Sequence, residues 1–365
     1  MPELKTCSFV WAADIPYPEE SAILPPAGMR HIIAHDGRKD ILPFLLDVSL
    51  AHHGGRLYAA WYNSTDAEIC GTSLIRGVYS EDGGDSWSEP FVLAGSFSNV
   101  GRHCVPVNFF PCGDDLYALV TEMSGRNMTT ALKLYKRQPG GEEVWTQISQ
   151  VADGFITNTN PIKMDNGNWI VGGWTPRKNE TPAFPVALIS QGDDIAAPWR
   201  CRFLYDPLNP DGVRIRCPEI TLHAQSGNIV AYVRNGNGDG PAYIYESVDY
   251  GSSWSEPALS PMPIAGSKMC AGILADGRRY LVYNAERGNF VRTLLCIAVA
   301  EPGSRVFSKV YRLFEGGDAA LGGRGRTWFY PAKCEFGGYL YIGCTLQEAD
   351  NVRSAVIAKV PLASL

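Results

Sequence analysis

Two eight-residue segments carry the same pattern, Ser-x-Asp-x-Gly-x-x-Trp, and this repeat constrains the fold more than any other feature of the chain. They span residues 80–87 and 247–254, and both continue with Ser-Glu-Pro. Asp can accept hydrogen bonds from backbone amides, Gly can adopt the positive φ of a tight turn, and Trp can anchor the loop on an apolar surface. The pattern therefore predicts a self-contained turn between two strands, which indicates an architecture rather than a catalytic site.

A second repeat runs along the whole chain, in which an apolar segment meets a glycine turn and is followed by another apolar segment. The turn glycines recur every 50 to 61 residues: Gly55, Gly113, Gly167, Gly227, Gly277 and Gly338. This period is typical of propeller blades or solenoid repeats, and short segments rich in β-branched and aromatic residues favour strands. The sequence predicts an all-β fold, a six-bladed β-propeller of four-stranded antiparallel blades, in a single domain over residues 1–365.

The last repeat contains only three predicted strands, at residues 328–334, 339–343 and 354–360. A propeller closes its ring so that no sheet edge stays exposed. We therefore expect an N-terminal strand, Cys7–Ala12, to pair with the C-terminal strand and close the ring. Residues 13–40 contain four prolines and are predicted to be an irregular leader.

Composition excludes several classes of function. The net charge of −6 argues against a nucleic-acid partner, and no basic patch or long apolar run indicates a membrane. The polar N-terminus lacks a secretory signal, so we expect a cytoplasmic protein, or a secreted or periplasmic one if a signal has been removed. Ten scattered cysteines predict free thiols, and no metal or cofactor is expected. The oligomeric state stays open.

Charged and polar residues on the predicted first strands are the candidate site residues, because these strands line the channel of a propeller. Asp47 and Glu219 stand within apolar segments, where a carboxylate must be paired or must line a wet cavity. The other candidates at strand ends are basic or aromatic: Arg102, His103, Arg234, Arg292, Arg324, Arg326 and Tyr330.

Paired Ser-x-Asp-x-Gly-x-x-Trp turns on six β repeats resemble the sialidase superfamily, whose Asp-box or BNR repeats have this pattern. The resemblance implies a catalytic Glu on the first strand of the fourth blade, followed by a turn and an Arg, and Glu219 and Arg234 match that order. Arg292 is similar to a second family Arg in the next blade. Tyr330 fits the position of the family nucleophile.

The chemistry implied by the resemblance is hydrolysis at a sugar that carries a carboxylate on its anomeric carbon. An anionic nucleophile would be repelled by that carboxylate, whereas a neutral Tyr, deprotonated by an adjacent Glu during attack, is not. Arginines bind the substrate carboxylate through charge-assisted hydrogen bonds, and a separate acid protonates the leaving group. No cofactor is needed for this reaction.

The chain departs from the family pattern at two places. It has no Arg-Ile-Pro motif on the opening strand, and Asp47 stands near the expected Arg. The resemblance therefore leaves one arm of the carboxylate clamp to Arg30, Arg102 or Arg326. The general acid also lacks a clean match, and the nearby candidates follow Trp61 in the chain: Asn63, Asp66 and Glu68.

Three hypotheses about function follow. The first is an exo-acting glycosidase of the sialidase type, which removes sialic acid or a related acidic sugar from a glycan. The second keeps the fold and uses the carboxylates of Asp47, Glu68 and Glu219 on another sugar, such as a rhamnoside or arabinoside, with inversion; a variant is a polysaccharide lyase that uses His103 and Tyr330. The third is a carbohydrate-binding propeller without activity.

Overall fold

A computed structural model describes residues 4–71, 73–98, 101–125, 128–177, 180–208, 215–238, 240–286, 291–316, 325–348 and 352–365. Within these ranges the chain is all β, and its helical content is confined to the three-residue 3-10 turns Glu20–Ala22, Gly37–Lys39 and Leu362–Ser364. No helix in the described ranges has the length and apolar character needed to span a membrane.

The strands follow one another with short turns. The first thirteen are β1 (Arg30–His35), β2 (Phe44–His53), β3 (Arg56–Ser64), β4 (Ser73–Ser80), β5 (Phe91–Ala94), β6 (His103–Cys112), β7 (Asp115–Met123), β8 (Thr129–Arg137), β9 (Trp145–Asp153), β10 (Ile156–Thr157), β11 (Ile162–Lys163), β12 (Trp169–Arg177) and β13 (Glu180–Ile189). The others are β14 (Arg200–Phe203), β15 (Ile220–Gln225), β16 (Asn228–Val233), β17 (Tyr243–Ser247), β18 (Ala258–Leu259), β19 (Cys270–Ile273), β20 (Arg279–Asn284), β21 (Leu294–Ala300), β22 (Phe307–Glu315), β23 (Thr327–Phe336), β24 (Tyr339–Gln347) and β25 (Arg353–Pro361).

Four-stranded antiparallel meanders, the blades of a β-propeller, are the unit of the fold, as predicted. The sheets β15–β18 and β19–β22 are simple meanders, and β23, β24, β25 and β1 form a third in that order. A five-stranded sheet has β10 and β11 as two pieces beside β12. An eight-stranded sheet contains the meanders β2–β5 and β6–β9, joined by one parallel pairing of Ser73 with His103. Among the described residues the hydrogen bonds thus define five sheets, whereas the sequence predicts six blades.

The predicted pairing of Cys7–Ala12 with the C-terminal strand is wrong. The outer strand beside β25 is β1, which lies within the stretch predicted to be irregular. In β1 the side chains of Ile32 and Ala34 are buried, whereas Ile33 between them is exposed, which is the alternation of a half-buried strand. The segment before it makes two isolated parallel bridges, Thr6 with Leu259 and Trp11 with Phe307. It therefore spans the outer edges of the sheets β15–β18 and β19–β22.

The repeated turns form the same hydrogen-bonded structure in both places. In the first, Ser80 Oγ donates to Asp82 Oδ1 at 2.7 Å, and the amides of Asp85 and Ser86 donate to the same carboxylate oxygen. In the second, Ser247 Oγ and the amide of Ser253 make the corresponding hydrogen bonds to Asp249 Oδ1. The amide of Gly84, at φ +99°, donates to Ser80 Oγ. The prediction that these segments are structural turns is confirmed.

Buried polar contacts connect the first strands of different four-stranded meanders. The amide of Phe109 in β6 donates to Ser49 Oγ in β2 at 3.0 Å, and the amide of Ala271 in β19 donates to Thr221 Oγ1 in β15 at 2.7 Å. In each sheet the first strand begins where the second ends and the third begins, because the strands are antiparallel. Side chains at these three positions therefore meet at one end of the sheets.

Candidate functional site

Three residues at that end of the sheets have left-handed backbone conformations although none is glycine. Asp47 has φ +57°, Cys217 has φ +45° and Tyr330 has φ +58°. Asp47 and Tyr330 lie where the register shifts, between Leu46 and Ser49 in β2 and between Phe329 and Ala332 in β23. A bulge turns a side chain away from its regular direction, and such strain costs about 1–3 kcal/mol per residue and clusters at functional sites.

Cations flank the phenol ring of Tyr330. Lys268 Nζ lies 5.2 Å and Arg292 Cζ lies 5.1 Å from the ring centroid. Burial raises the pKa of Tyr330 above its ordinary value, and the negative charge of Glu219 adds to this, whereas Arg292 and Arg234 oppose it. The hydroxyl is therefore protonated at neutral pH, and its deprotonation requires a nearby base.

Glu219 and Arg234 form a buried ion pair beside Tyr330. Arg234 Nη1 lies 2.6 Å from Glu219 Oε2, with 3% and 11% of the two side chains exposed. Burial acts to lower the pKa of Arg234, but the charges of Glu219 and Tyr330 together hold it above its ordinary value. Among the described residues no hydrogen bond joins Tyr330 to Glu219. The predicted direct contact of this pair is thus not made in the ligand-free protein, although their charges interact.

The sequence predicted that Glu219 lies within a strand, but in the structure it lies just before one. β15 begins at Ile220, because Pro218 has no amide hydrogen to donate and Cys217 is left-handed. Glu219 is held instead by its backbone, whose carbonyl accepts the amide of Arg234 at 2.9 Å. This places the carboxylate at the entrance of the sheet, next to Cys217, where burial and the charge of Glu219 both raise the pKa of the thiol.

A second buried ion pair contains Asp47, the acid that stands where the family resemblance calls for Arg. Lys268, just before β19, places Nζ 2.5 Å from Asp47 Oδ1, and the two side chains are 4% and 14% exposed, respectively. The pair joins the first and fifth glycine-turn repeats of the chain. Because the ammonium neutralises the carboxylate, Asp47 does not leave an uncompensated negative charge beside Tyr330.

Arg353 is a site residue that the sequence reasoning missed. It opens β25, and its guanidinium carbon lies 3.9 Å from the Phe44 ring centroid and 5.3 Å from that of Phe329. Within the described ranges Nε is buried without a hydrogen-bond partner, and no carboxylate lies within 4 Å of the guanidinium. Burial lowers the pKa of Arg353 from 12.5 to about 10, although the charges of Glu68 and Tyr330 oppose this.

Glu68 is the candidate general acid whose charge reaches the cluster. It lies in the loop after β3, and its charge acts on Tyr330, Arg353 and Cys217. Asn63, by contrast, is buried, and its amide donates to the carbonyls of Leu42 and Phe44. Of the candidates after Trp61, Glu68 is thus the acid whose charge acts on the cluster.

Three predicted substrate-binding residues lie beside carboxylates elsewhere, and a fourth, His103, is buried. Arg30 is in the outer strand β1, 2.5 Å from Asp85, so its assignment to the clamp is wrong. Arg102 lies 3.9 Å from Glu122 and Arg326 lies 3.2 Å from Glu348, both largely exposed. The backbone of His103 pairs with that of Met123, burial lowers the pKa of its ring, and ring Nδ1 has no hydrogen-bond partner among the described residues. Arg324 lies outside the described residues.

The family model for the BNR repeat-like domain matches residues 55–342. No curated protein is significantly similar to the chain in sequence.

Solved structures are similar in fold. A protein of unknown function from Dyadobacter fermentans DSM 18053 has a TM-score of 0.69 and 16% identity over 91% of this chain and 99% of that one. Trypanosoma rangeli sialidase in complex with the inhibitor DANA has a TM-score of 0.70 and 12% identity over 92% of this chain. Its covalent intermediate with 2,3-difluorosialic acid has a TM-score of 0.67 and 13% identity, also over 92% of this chain. This chain covers only 60% and 59%, respectively, of those sialidase chains.

Proposed function

Because the chain belongs to the BNR repeat-like family of the sialidase superfamily, we propose that it is an exo-acting glycoside hydrolase of the sialidase type. Its substrate is a glycan that ends in sialic acid or a related acidic sugar. One observation carries the proposal: Tyr330, strained into a left-handed conformation, lies among Glu219, Arg234 and Arg292. A neutral phenol surrounded by cations suits attack on an anionic sugar.

The proposal includes a single domain of six blades in a closed ring. The eight-stranded sheet counts as two blades, since a single parallel pairing joins its two meanders. Closure is supported by β2, which packs against β6 on one side and against β23 on the other. In this arrangement the six first strands surround one channel, and the site lies at its mouth.

The first chemical step forms a covalent intermediate. Tyr330 Oη attacks the anomeric carbon while Glu219 accepts the phenolic proton. The bond between the anomeric carbon and the leaving oxygen breaks, and Glu68 gives that oxygen its proton. Arg234 lowers the energy of the charge on Glu219 before the transfer, and the cations near the ring stabilise the developing phenolate.

The second step releases the sugar. Glu68, now a carboxylate, takes a proton from water, and the resulting hydroxide oxygen bonds to the anomeric carbon. The bond from that carbon to Tyr330 Oη breaks, and Glu219 returns the proton to the phenolate. Two displacements at one carbon retain its configuration.

Arg353 supplies the clamp arm that the opening strand lacks. A buried guanidinium without a carboxylate partner among the described residues is poorly solvated, so an anion of the substrate gains a strong charge-assisted hydrogen bond there. Arg292 is nearby, as its charge acts on that of Arg353. Together they receive the sugar carboxylate from the side of β23 and β25.

One observation favours a second candidate, a glycosidase for another sugar. The Asp47–Lys268 pair makes the first-blade wall of the pocket electrically neutral, where a sialidase is expected to carry an Arg. A rhamnoside or arabinoside would then be bound through its hydroxyl groups. The lyase variant gains no support, because no hydrogen bond or ring contact among the described residues joins His103 to Tyr330.

A panel of fluorogenic glycosides tests the proposal. Sialosides and other acidic sugars should be cleaved, rhamnosides and arabinosides should not, and Tyr330→Phe should abolish turnover while still binding the acid sugar. Cleavage of the neutral glycosides alone would establish the second candidate. Binding without release of any fluorophore by the wild type would leave a carbohydrate-binding propeller.

A further inference from the structure

The loop that carries Glu68 has an unusual backbone. Ile69, the next residue, has φ +55°. A β-branched residue in the left-handed region is a genuine outlier, because its side chain crowds the backbone there. Such a conformation persists only where surrounding contacts impose it. The contacts around Ile69 should therefore reveal what the loop is built to hold.

One buried hydroxyl bonds to both neighbours of Glu68. The amide of Ile69 donates to Tyr62 Oη at 2.7 Å, and Tyr62 Oη donates to the carbonyl of Ala67 at 3.2 Å. Ser64 Oγ donates to that same carbonyl at 2.6 Å. The hydroxyl thus fixes the backbone on either side of the glutamate and stabilises the left-handed turn.

Tyr62 is itself rigid. It lies in β3, is fully buried, pairs with Leu46 next to Asp47, and its ring packs edge-on against Phe44. Because Tyr62 is fixed in the sheet, its hydrogen bonds fix the loop relative to the sheet. The charge of Glu68 acts on Tyr330 and on Arg353, so the loop position determines how far the carboxylate lies from the reacting groups.

We propose that Tyr62 is a positioning residue for Glu68, whose hydroxyl sets the carboxyl group at the distance from which it protonates the leaving oxygen. The inference rests on the proposed function, in which Glu68 is the general acid. In this proposal Tyr62 acts through Glu68 and does not contact the substrate. Removing the hydroxyl leaves the packing of the ring intact. The amide of Ile69 then has no hydrogen-bond acceptor in Tyr62, so the left-handed turn is no longer held in place.

Tyr62→Phe should therefore impair proton transfer more than binding. We expect kcat/KM, which reports the first step, to fall 10- to 100-fold for glycosides with poor alkyl leaving groups, because a positioned general acid contributes about 10²–10⁴ to such steps. For aryl glycosides with acidic leaving groups, which need little protonation, kcat/KM should change less than threefold. Glu68→Gln should show the same dependence of kcat/KM on the leaving group.

Tyr58→Phe is the matched control. Tyr58 lies in the same strand, is equally buried, and donates its hydroxyl to Glu143 at 3.3 Å, in another network. It should leave the dependence on the leaving group unchanged. Hydrogen exchange reports the loop directly: the amide of Ile69 should exchange faster in Tyr62→Phe and at the wild-type rate in Tyr58→Phe.

The outcomes separate the two claims. An active wild type in which Glu68→Gln depends on the leaving group but Tyr62→Phe does not overturns the positioning role alone. Unchanged exchange at Ile69 in Tyr62→Phe also overturns it, whether or not activity is found. A wild type inactive on every glycoside overturns the proposed function, and the positioning role with it, because no proton transfer is left to be arranged.

Discussion

Arg353→Met separates the energetic cost of a buried cation from its value in binding. The pKa of Arg353 is about 10 rather than 12.5, so its charged form costs about 3 kcal/mol at neutral pH in the ligand-free protein. Methionine is flexible and keeps favourable contacts with the rings of Phe44 and Phe329. Loss of the cation–π contacts with these rings offsets about 0.5–2 kcal/mol of the stability gained by removing the charge. We expect the free energy of unfolding to rise by about 1–2 kcal/mol.

The same change should weaken binding of an acidic sugar. A hydrogen bond to a charged group contributes about 1.5–3 kcal/mol, which corresponds to a Kd about 10- to 150-fold higher. Urea denaturation measures the first effect, and calorimetric titration with an acidic sugar inhibitor measures the second. Arg326→Met is the control, since this exposed arginine pairs with Glu348 and should change neither quantity appreciably. A variant that is less stable and binds as tightly as the wild type would refute the reasoning.

Two further predictions concern buried charges. Lys268→Met should lower the free energy of unfolding by about 3–5 kcal/mol, because Asp47 is left buried without its partner, and adding Asp47→Asn should recover most of that loss in urea denaturation; equal stability of the single and double variants would contradict this. Burial lowers the pKa of His223 to about 3, so between pH 6.5 and 3 the unfolded chain binds a proton that the folded chain does not. Wild-type stability should thus fall as the pH falls through this window, by roughly 4–5 kcal/mol in all. His223→Gln should lose correspondingly less, and parallel pH profiles of the two proteins would rule out this role.

The architecture could be predicted because its signals are local. The turns at Asp82 and Asp249 form the hydrogen bonds that their residue types suggest, since each turn contains all of its own donors and acceptors. The sequence also indicated that Glu219 and Arg234 belong to one site, and the two form an ion pair. They meet because antiparallel pairing brings the start of one strand to the end of the next.

The errors arose where contacts distant in sequence decide the outcome. Cys7–Ala12 and β1 are both short apolar segments, and only the packed surface of the sheets determines which of them pairs with β25. Arg30 was one of three candidates for the missing clamp arm, but β1 directs it to Asp85 in the first Asp-box turn.

Arg353 gave no signal in the sequence. An arginine at the start of a strand is commonly a solvated residue, and nothing local shows that Phe44 and Phe329 enclose this one. Its position could have been inferred from topology alone, because the first residue of a third strand lies at the same end of the sheet as the start of the first. The register that pairs Thr327 with Gln347 and Gln347 with Arg353 shows this directly.

Trapping of the covalent intermediate tests the central claim most directly. The wild type would be incubated with a 2,3-difluoro acidic sugar, of the kind bound covalently in the trypanosomal sialidase, and then digested for peptide mass spectrometry. We predict one sugar adduct, on Tyr330, that is absent from Tyr330→Phe. Cleavage of an acidic glycoside by a protein that forms no adduct, or forms it on another residue, would contradict the account.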